Sequence, residues 1–336
     1  MTSNQMIIAD SEAYRGCTLC PRACGADRTA GGIGACGVSD TLRVARAAPH
    51  FWEEPCLSGV HGSGAVFFSG CSLCCVYCQN TGIAHGQGKD ITPQRLYDIL
   101  FELKAAGVHN INLVTATHYT PTIAAVLRQA RADGLALPVI WNSSGYERVE
   151  TLRMLRGLVD IYLPDFKYAD SALAARYSNA PDYPEIARAA IAEMVDQVGE
   201  PTFDSDGMMQ QGVIVRHLLL PHAGKNARAV TRYLLSAYGT RIYISYMRQY
   251  TPMPGIGEHF PALGERVTDD AYRAWIADAE AHGAEHGFTQ EKESAAESFI
   301  PPFDQSGVSE LSSETSRKKT SFFCKKDRRF SKYRML

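Results

Sequence analysis

Short apolar runs alternate with amphipathic stretches between residues 63 and 290, and this rhythm limits the folds that the chain can adopt. Strands are predicted at 64–70, 111–116, 138–142, 159–167, 212–220 and 241–247. Helices are predicted at 92–107, 121–134, 147–157, 184–199, 225–238 and 268–286. Repeated strand–helix units favour parallel strands joined by right-handed crossovers. We therefore expect an α/β fold, a partial or full (β/α) barrel.

A cysteine-rich loop follows the first predicted strand directly. Cys71, Cys75 and Cys78 have the spacing CxxxCxxC, and Cys74 does not fit it. Three thiolates on one loop can hold three corners of a cubic 4Fe–4S cluster and leave the fourth iron open to a substrate. Because β/α barrels place their active sites at the C-terminal ends of the strands, this loop is predicted to lie on the catalytic face. The alternatives are a zinc site and a loop of buried free cysteines.

A second group of cysteines lies in the first 62 residues, where periodicity is weak and a small metal-stapled module is predicted. Cys17, Cys20, Cys24 and Cys36 have the spacing of a metal knuckle. Four thiolates can close a tetrahedral zinc site or hold a second iron–sulfur cluster. The spacing does not separate these two from plain reduced cysteines, and Cys56 could replace one of the four.

Composition favours a reducing compartment. Ten cysteines in a chain of this kind point to metal or redox chemistry, because reducing compartments rarely support structural disulfides. A net charge of −2 and the lack of a run of about 18 apolar residues argue against a membrane or nucleic-acid partner. The first 16 residues are too acidic and too poor in apolar residues for a signal peptide, so a cytoplasmic location is expected.

These patterns predict three regions. Residues 1–62 are the Cys-rich module, 63–290 the barrel core, and 291–336 a polar C-terminal extension. The extension ends in the basic stretch 317–336, which contains Cys324 and interspersed aromatic residues. Such a stretch can bind nucleic acid, but a disordered, solvated tail is the commoner outcome.

The motif and the architecture together resemble the radical S-adenosylmethionine superfamily, and more closely the uncharacterised homologues of the pyruvate formate-lyase activating enzyme. The resemblance covers most of residues 14–304 and is carried by CTLCPRAC (17–24), EEPCLSG (53–59), GSGAVFFSGCSLCCVYCQN (62–80), NINLVTATHYTP (110–121), NSSGYE (142–147), DIYLPDFKY (160–168), IVRHLLLP (214–221) and MRQYTP (247–252). It implies a 4Fe–4S cluster on Cys71, Cys75 and Cys78 that cleaves S-adenosylmethionine reductively to a 5′-deoxyadenosyl radical.

The resemblance also implies contacts to the cofactor from the loop after the second predicted strand. In the activating enzymes a Gly-Gly-Glu stretch there contacts the methionine amino group. Thr115, Thr117 and His118 occupy that place in this chain and could supply hydrogen bonds, although the acidic residue is missing. His118 could equally be a hydrogen-bonded core histidine. Gln249 and Tyr250 stand where the family has a histidine that contacts the ribose.

Three charged residues match family positions further along the chain. Asp165 and Lys167 match a pattern that reaches the methionyl part of the cofactor, and Arg216 matches a basic residue near its carboxylate. An arginine fork suits a carboxylate bound at two points. The alternatives are an exposed pair after a strand for Asp165 and Lys167, and a structural ion pair for Arg216.

The sequence thus predicts a radical oxidoreductase that receives electrons from a reductant such as flavodoxin or ferredoxin. Its substrate would be a protein glycine, as for the activating enzymes, or a small molecule. Two other classes stay open: a non-catalytic iron–sulfur or zinc electron-transfer protein, and a radical RNA-modifying enzyme. The changed Gly-Gly-Glu place favours the first of these, and only the basic tail favours the second.

Overall fold

The computed structural model of the protein describes Ile7 and residues 11–291, 301–309 and 333–336. Cys324 and most of the basic stretch 317–336 lie outside the described residues. The predicted division into three regions stays a prediction.

Within the described residues, eleven strands form one sheet. They are β1 (Leu42–His50), β2 (Ser63–Phe68), β3 (Lys89–Ile91), β4 (Ile111–Val114), β5 (Val139–Ser143), β6 (Ile161–Pro164), β7 (Thr202–Phe203), β8 (Met209–Leu218), β9 (Tyr243–Met247), β10 (Gly287–Gln290) and β11 (Tyr333–Met335). The strands β2, β4, β5, β6, β8, β9 and β10 pair in parallel in that order. This confirms the predicted α/β class with a mostly parallel sheet.

The sheet is open among the described strands, so it has the partial form of the predicted barrel. Antiparallel β1 lies beside β2, with β3 outside it, and antiparallel β11 lies beside β10 at the other edge. The short β7 pairs with β8. Strand β1 belongs to the region predicted as a separate N-terminal module, so the sheet runs across the predicted boundary at residue 62.

Helices connect the parallel strands. They are α1 (Pro55–Ser58), α2 (Thr81–Ala84), α3 (Pro93–Ala105), α4 (Thr120–Ala132), α5 (Val149–Arg153), α6 (Ser171–Ser178), α7 (Tyr183–Val198), α8 (Gly224–Tyr238), α9 (Ile256–His259) and α10 (Asp269–Ala281). Helix α3 begins as its sequence predicts: Thr92 Oγ1 accepts a hydrogen bond from the Arg95 amide, and Pro93 takes the first helical position. Short 3₁₀ turns lie at Glu12–Tyr14, Thr117–Tyr119, Gly239–Arg241 and Pro261–Gly264.

Both faces of the parallel strands are buried, and successive residues alternate between them. Trp141, Tyr162 and Val215 face the helices and join the main hydrophobic core. Ile140 and Ile214 belong to a separate cluster on the opposite, inner face of the sheet. A strand residue two positions after Ile214 therefore also points inward, and that residue is Arg216.

Gly145, which follows β5, provides a test of how the strand exits are fixed. It has a φ of +72°, and a Cβ there would collide with the carbonyl oxygen of Asp165. We expect Gly145→Ala to lower the free energy of unfolding by about 2–4 kcal/mol, because the strain of the left-handed backbone adds to the displacement of Asp165. The midpoint and slope of urea unfolding measure this loss.

Gly134→Ala is the matched control. Gly134 has a φ of +89° but no neighbour within 4 Å of its Cβ position. Only the backbone cost of about 1–2 kcal/mol is expected there. Equal losses in the two variants would contradict the predicted collision.

Candidate functional site

A cavity of about 260 Å³ opens at the C-terminal ends of the parallel strands. Its lining includes Glu53, Cys75, Tyr77, Cys78, Thr115, Asn142, Asp165, Lys167, Arg216, Gln249 and Tyr250. These residues come from distant parts of the chain and meet because parallel strands present their C-terminal ends at one edge of the sheet. The strand-exit loop with the cysteines is therefore on the same face as the charged residues that follow β6 and lie on β8.

The cysteine loop is held by its backbone. Gly70 has a φ of +95°, and a Cβ there would lie 2.9 Å from the carbonyl oxygen of Cys36, so this position favours glycine. The Cys71 amide donates a hydrogen bond to that same carbonyl at 3.0 Å. Cys74 is exposed with a φ of +47°, and its Sγ donates to the Cys71 carbonyl at 3.0 Å. Cys75 and Cys78 face the cavity.

The surroundings of the three sulfur atoms suit a positively charged partner. Hydrogen bonds from Cys74 lower the pKa of Cys71 to about 6, although burial opposes this. Burial, together with the nearby thiolates of Cys75 and Cys71, raises the pKa of Cys78 to about 12. Burial also raises the pKa of Cys75, against the influence of Lys167. A metal centre bound by all three thiolates would offset the cost of burying their negative charges and would reduce the repulsion between them.

No set of three or more His, Cys, Asp or Glu side chains in the described ranges is spaced to hold a single metal ion. A cubic cluster has several irons, each with its own cysteine, and so differs from a single-ion site. The three cysteines thus fit the cluster prediction by donor type and position.

Asp165 and Lys167 form a half-buried ion pair after β6. Lys167 Nζ lies 2.6 Å from Asp165 Oδ2. Burial lowers the pKa of Lys167, but Asp165 and the Cys75 thiolate outweigh it and leave that pKa well above its ordinary value. The Phe166 amide donates to the Arg216 carbonyl at 2.8 Å, which fixes this pair beside β8. The lysine therefore carries its positive charge next to the cluster loop.

Arg216 is buried among protein carboxylates, in agreement with the alternative of a structural ion pair that the sequence left open. Its Nε donates to Glu54 Oε1 at 2.9 Å, and its Nη2 contacts the carboxylates of both Glu53 and Glu54. Asn112 Nδ2 donates to Glu53 Oε1 at 3.0 Å. Burial opposes the guanidinium charge, but the two glutamates hold the pKa of Arg216 above its ordinary value. Arg216 lines the cavity, yet its guanidinium is shared by two carboxylates of the chain.

The residues predicted to replace the Gly-Gly-Glu stretch divide into two groups. Thr115 lines the cavity. Thr117 and His118 do not: Thr117 Oγ1 donates to Glu147 Oε1 at 2.8 Å, and His118 Nε2 bonds the Ser69 carbonyl at 2.8 Å. Burial lowers the pKa of His118 to about 3, so the ring is neutral and donates from Nε2. The cofactor contacts of Thr117 and His118 stay a prediction.

The N-terminal cysteines are not part of the cavity lining. Cys17, Cys20 and Cys36 are buried, and Cys24 is exposed. All nine described cysteines are free of disulfide bonds. Cys56 lies on α1 in the inner-face cluster, where burial and Glu54 raise its pKa.

No helix in the described part of the chain is both long and apolar enough to cross a membrane.

Residues 58–174 match a family model described as a 4Fe-4S single cluster domain. The matched segment contains Cys71, Cys75 and Cys78, and the match confirms the predicted 4Fe–4S cluster.

Proteins similar to this chain include an uncharacterized protein, MJ0674, of Methanocaldococcus jannaschii. It is 25% identical over 262 residues, which cover 76% of this chain and 71% of the relative. A structure of SuiB from Streptococcus suis is 12% identical with a TM-score of 0.45, over 68% of this chain and 48% of SuiB. SuiB bound to S-adenosylmethionine is 13% identical with a TM-score of 0.45, over 66% of this chain and 48% of SuiB. The chain thus spans about half the length of SuiB.

The buried Arg216 cluster predicts a pH-dependent loss of stability. Arg216→Met leaves Glu53 and Glu54 buried without their cation, so we expect the free energy of unfolding to fall by about 3–5 kcal/mol at pH 7. Without the cation, the buried carboxylates favour their protonated form in the folded variant. Since the folded variant would bind more protons than the unfolded one, the loss should shrink as the pH falls towards about 5.

Urea unfolding at several pH values measures this effect. Arg232→Met is the control, because Arg232 pairs with Asp278 at the surface and such pairs contribute about 0–1 kcal/mol. A loss in Arg216→Met that is independent of pH would contradict the role assigned to the two glutamates.

Proposed function

We propose that this protein is a radical S-adenosylmethionine enzyme in which Cys71, Cys75 and Cys78 hold the cluster. The observation that carries the proposal is the position of this three-cysteine loop, which lies on the cavity at the C-terminal edge of the parallel strands. The loop lies within the segment that matches a single 4Fe–4S domain. When bound, the cluster would supply the electron that breaks a carbon–sulfur bond of S-adenosylmethionine, giving methionine and a 5′-deoxyadenosyl radical that takes a hydrogen atom from the substrate.

The charges around the cavity favour a ligand with a net positive charge. Glu53, Asp165, Lys167 and Arg216 line it, and Glu54 is buried beneath Arg216. Three carboxylates thus stand against two cations. S-adenosylmethionine carries a sulfonium, an ammonium and a carboxylate, so its single excess positive charge complements this set. The loop after β4 lacks the glutamate that contacts the cofactor's amino group in the activating enzymes. A carboxylate from another part of the chain can take its place.

Within this proposal Glu53 accepts hydrogen bonds from the ammonium group of the cofactor. Its carboxylate is positioned by Arg216 and by Asn112, so it is oriented before the ligand arrives. Such preorganisation reduces the ordering cost of binding. Lys167, next to Cys75, stabilises negative charge on the cluster loop and thereby favours an added electron there.

Aromatic residues complete the cavity wall. Tyr77 and Tyr250 line it, with ring centroids 6.3 Å apart, and the Tyr168 hydroxyl donates to the Tyr77 hydroxyl at 2.8 Å. An apolar, ordered wall excludes water and protects a reactive radical from side reactions.

The finer parts of the proposal rest on the family resemblance. We assign the hydrogen abstraction to a protein substrate, as for the activating enzymes, and the electron supply to a flavodoxin or ferredoxin. A small-molecule substrate is the competing assignment. The fold alone does not decide between them, because one fold serves many reactions.

The cleavage reaction has a direct test. The protein is reconstituted anaerobically with iron and sulfide, and dithionite and S-adenosylmethionine are added. We expect 5′-deoxyadenosine from the wild type and none above background from Cys75→Ala, because one cluster ligand is lost. Cys74→Ser is the control in the same loop and should retain product, since Cys74 is exposed and does not fit the motif. A wild-type protein with a full cluster and no product would favour the electron-transfer alternative.

The role of Glu53 has a separate test. Glu53→Gln keeps the size of the side chain and removes its charge, so we expect the KM for S-adenosylmethionine to rise about tenfold, or about 1.4 kcal/mol. Glu265→Gln is the control, because Glu265 pairs with His222 at the surface. The iron content of both variants should equal that of the wild type. An unchanged KM in Glu53→Gln would remove Glu53 from the cofactor site.

A further inference from the structure

We propose that Cys17, Cys20, Cys24 and Cys36 hold a second iron–sulfur cluster, and that this cluster stabilises the loop that carries the 4Fe–4S cluster of Cys71, Cys75 and Cys78. Two observations carry the proposal: a buried arginine beside these cysteines without a carboxylate partner, and backbone contacts that join the N-terminal segment to the cluster loop.

Two tight turns bring the four cysteines together. The Cys17 amide donates to the Ala26 carbonyl at 2.9 Å, and the Gly25 amide donates to the Cys17 carbonyl at 3.1 Å, so residues 17 and 24 become neighbours. The Gly37 amide donates to the Gly34 carbonyl at 2.9 Å and returns Cys36 towards them. A Cβ placed on Gly34 would lie 3.4 Å from the Cys36 Sγ and 3.5 Å from the Cys24 Sγ. These sulfur atoms therefore converge on one small region.

Arg28 is fully buried beside this group. Its Nη1 lies 3.6 Å from the Cys17 Sγ, and its other hydrogen bonds go to the backbone carbonyls of Val38, Ser39 and His118. Within the described residues no carboxylate pairs with it. The guanidinium carbon lies 5.0 Å from the ring centroid of Tyr14 and 5.8 Å from that of Tyr119. The ring faces attract the cation but carry no net charge.

An arginine cannot release its proton, so this charge needs a buried anion. Neutral thiols do not provide one. A four-cysteine iron–sulfur cluster is anionic and would supply the missing counterion. A single ion does not fit, because no group of three or more His, Cys, Asp or Glu side chains in the described residues is spaced to hold one.

The same segment holds the cluster loop at two points. The Cys36 carbonyl accepts the hydrogen bond of the Cys71 amide. Arg22, between Cys20 and Cys24 in sequence, donates to the carbonyls of Ser72 and Ser178 at 2.8 and 2.9 Å. The Ser178 Oγ donates to the Cys75 Sγ at 3.0 Å. A metal that fixes the cysteines at 20, 24 and 36 therefore fixes the groups that position Cys71 and Cys75.

The metal is measured in the full chain with Cys71, Cys75 and Cys78 replaced by alanine, so that the proposed S-adenosylmethionine chemistry plays no part. After reconstitution with iron and sulfide and desalting, we expect a coloured protein with about four irons per chain. Adding Cys17→Ser and Cys20→Ser should abolish this metal, whereas adding Cys56→Ser should leave it. Failure of this background to retain iron, or retention of iron after Cys17→Ser and Cys20→Ser, would overturn the proposal.

The counterion role of Arg28 is tested by the rate of metal transfer to a chelator in the same background. Arg28→Met should release metal about tenfold faster than Arg28→Lys, which keeps a positive charge at that place. Circular dichroism before the transfer checks that both variants are folded. Equal release rates in the two variants would remove the charge argument.

The coupling to the cluster loop is tested in the chain with all three loop cysteines intact. Cys17→Ser together with Cys20→Ser should leave fewer irons per chain than the roughly four that a full cluster on Cys71, Cys75 and Cys78 holds. The electron paramagnetic resonance signal of the remaining reduced cluster should be broadened or shifted. Arg22→Gln should act in the same direction, whereas Arg15→Gln, at the surface beside Glu12, should not. Full cluster occupancy with an unchanged spectrum in the double-serine variant would overturn the stabilising role, whatever the outcome of the cleavage assay.

Discussion

The buried ion cluster of Arg216, Glu53 and Glu54 constrains the inner face of the sheet. Glu54 is fully buried and Glu53 nearly so, and both are held by a guanidinium from a strand more than 160 positions later. Removing such charges from water costs several kcal/mol per ion, and only close, well-oriented partners offset it. The segment between β1 and α1 must therefore enter the interior opposite β8. The antiparallel pairing of β1 with β2 places the segment there. The cavity is lined by Arg216 and Glu53 of this ion cluster.

Local periodicity accounts for the parallel strands and most helices of this fold. The apolar run before Gly70 and the Thr92–Pro93 helix start are each specified by neighbouring residues, and both are present in the structure. The cysteine loop could be placed at the strand ends because its position follows from the strand that precedes it. The match to a 4Fe-4S domain confirms the cluster that this loop predicted.

Other features could not be predicted because their causes lie far away in sequence. Strand β10 has only four residues and owes its pairing to β9 and β11. Strand β1 does not alternate strictly, since Val44 and Ala45 are both buried and Pro49 is exposed, so its periodicity gives a weak strand signal. Glu53 had no local signature, since its role comes from Arg216 and Asn112. Thr117 and His118 lie in a 3₁₀ turn, which has three residues per turn. A shift of one residue there points a side chain in a different direction, so the sequence does not show which of them faces the cavity.

The charges around two buried arginines indicate which kind of ligand each of the two sites favours. Arg216 faces two carboxylates, so its surroundings carry an excess of negative charge, and they border the cavity. Arg28 pairs with no carboxylate among the described residues, so its surroundings carry an excess of positive charge, and they border four cysteines. A buried charge imbalance is stable only when a ligand of opposite charge completes it. The first site thus suits a cationic cofactor and the second an anionic metal–thiolate centre. Because the Cys36–Cys71 hydrogen bond lies between the two sites, filling one site would help to order the other.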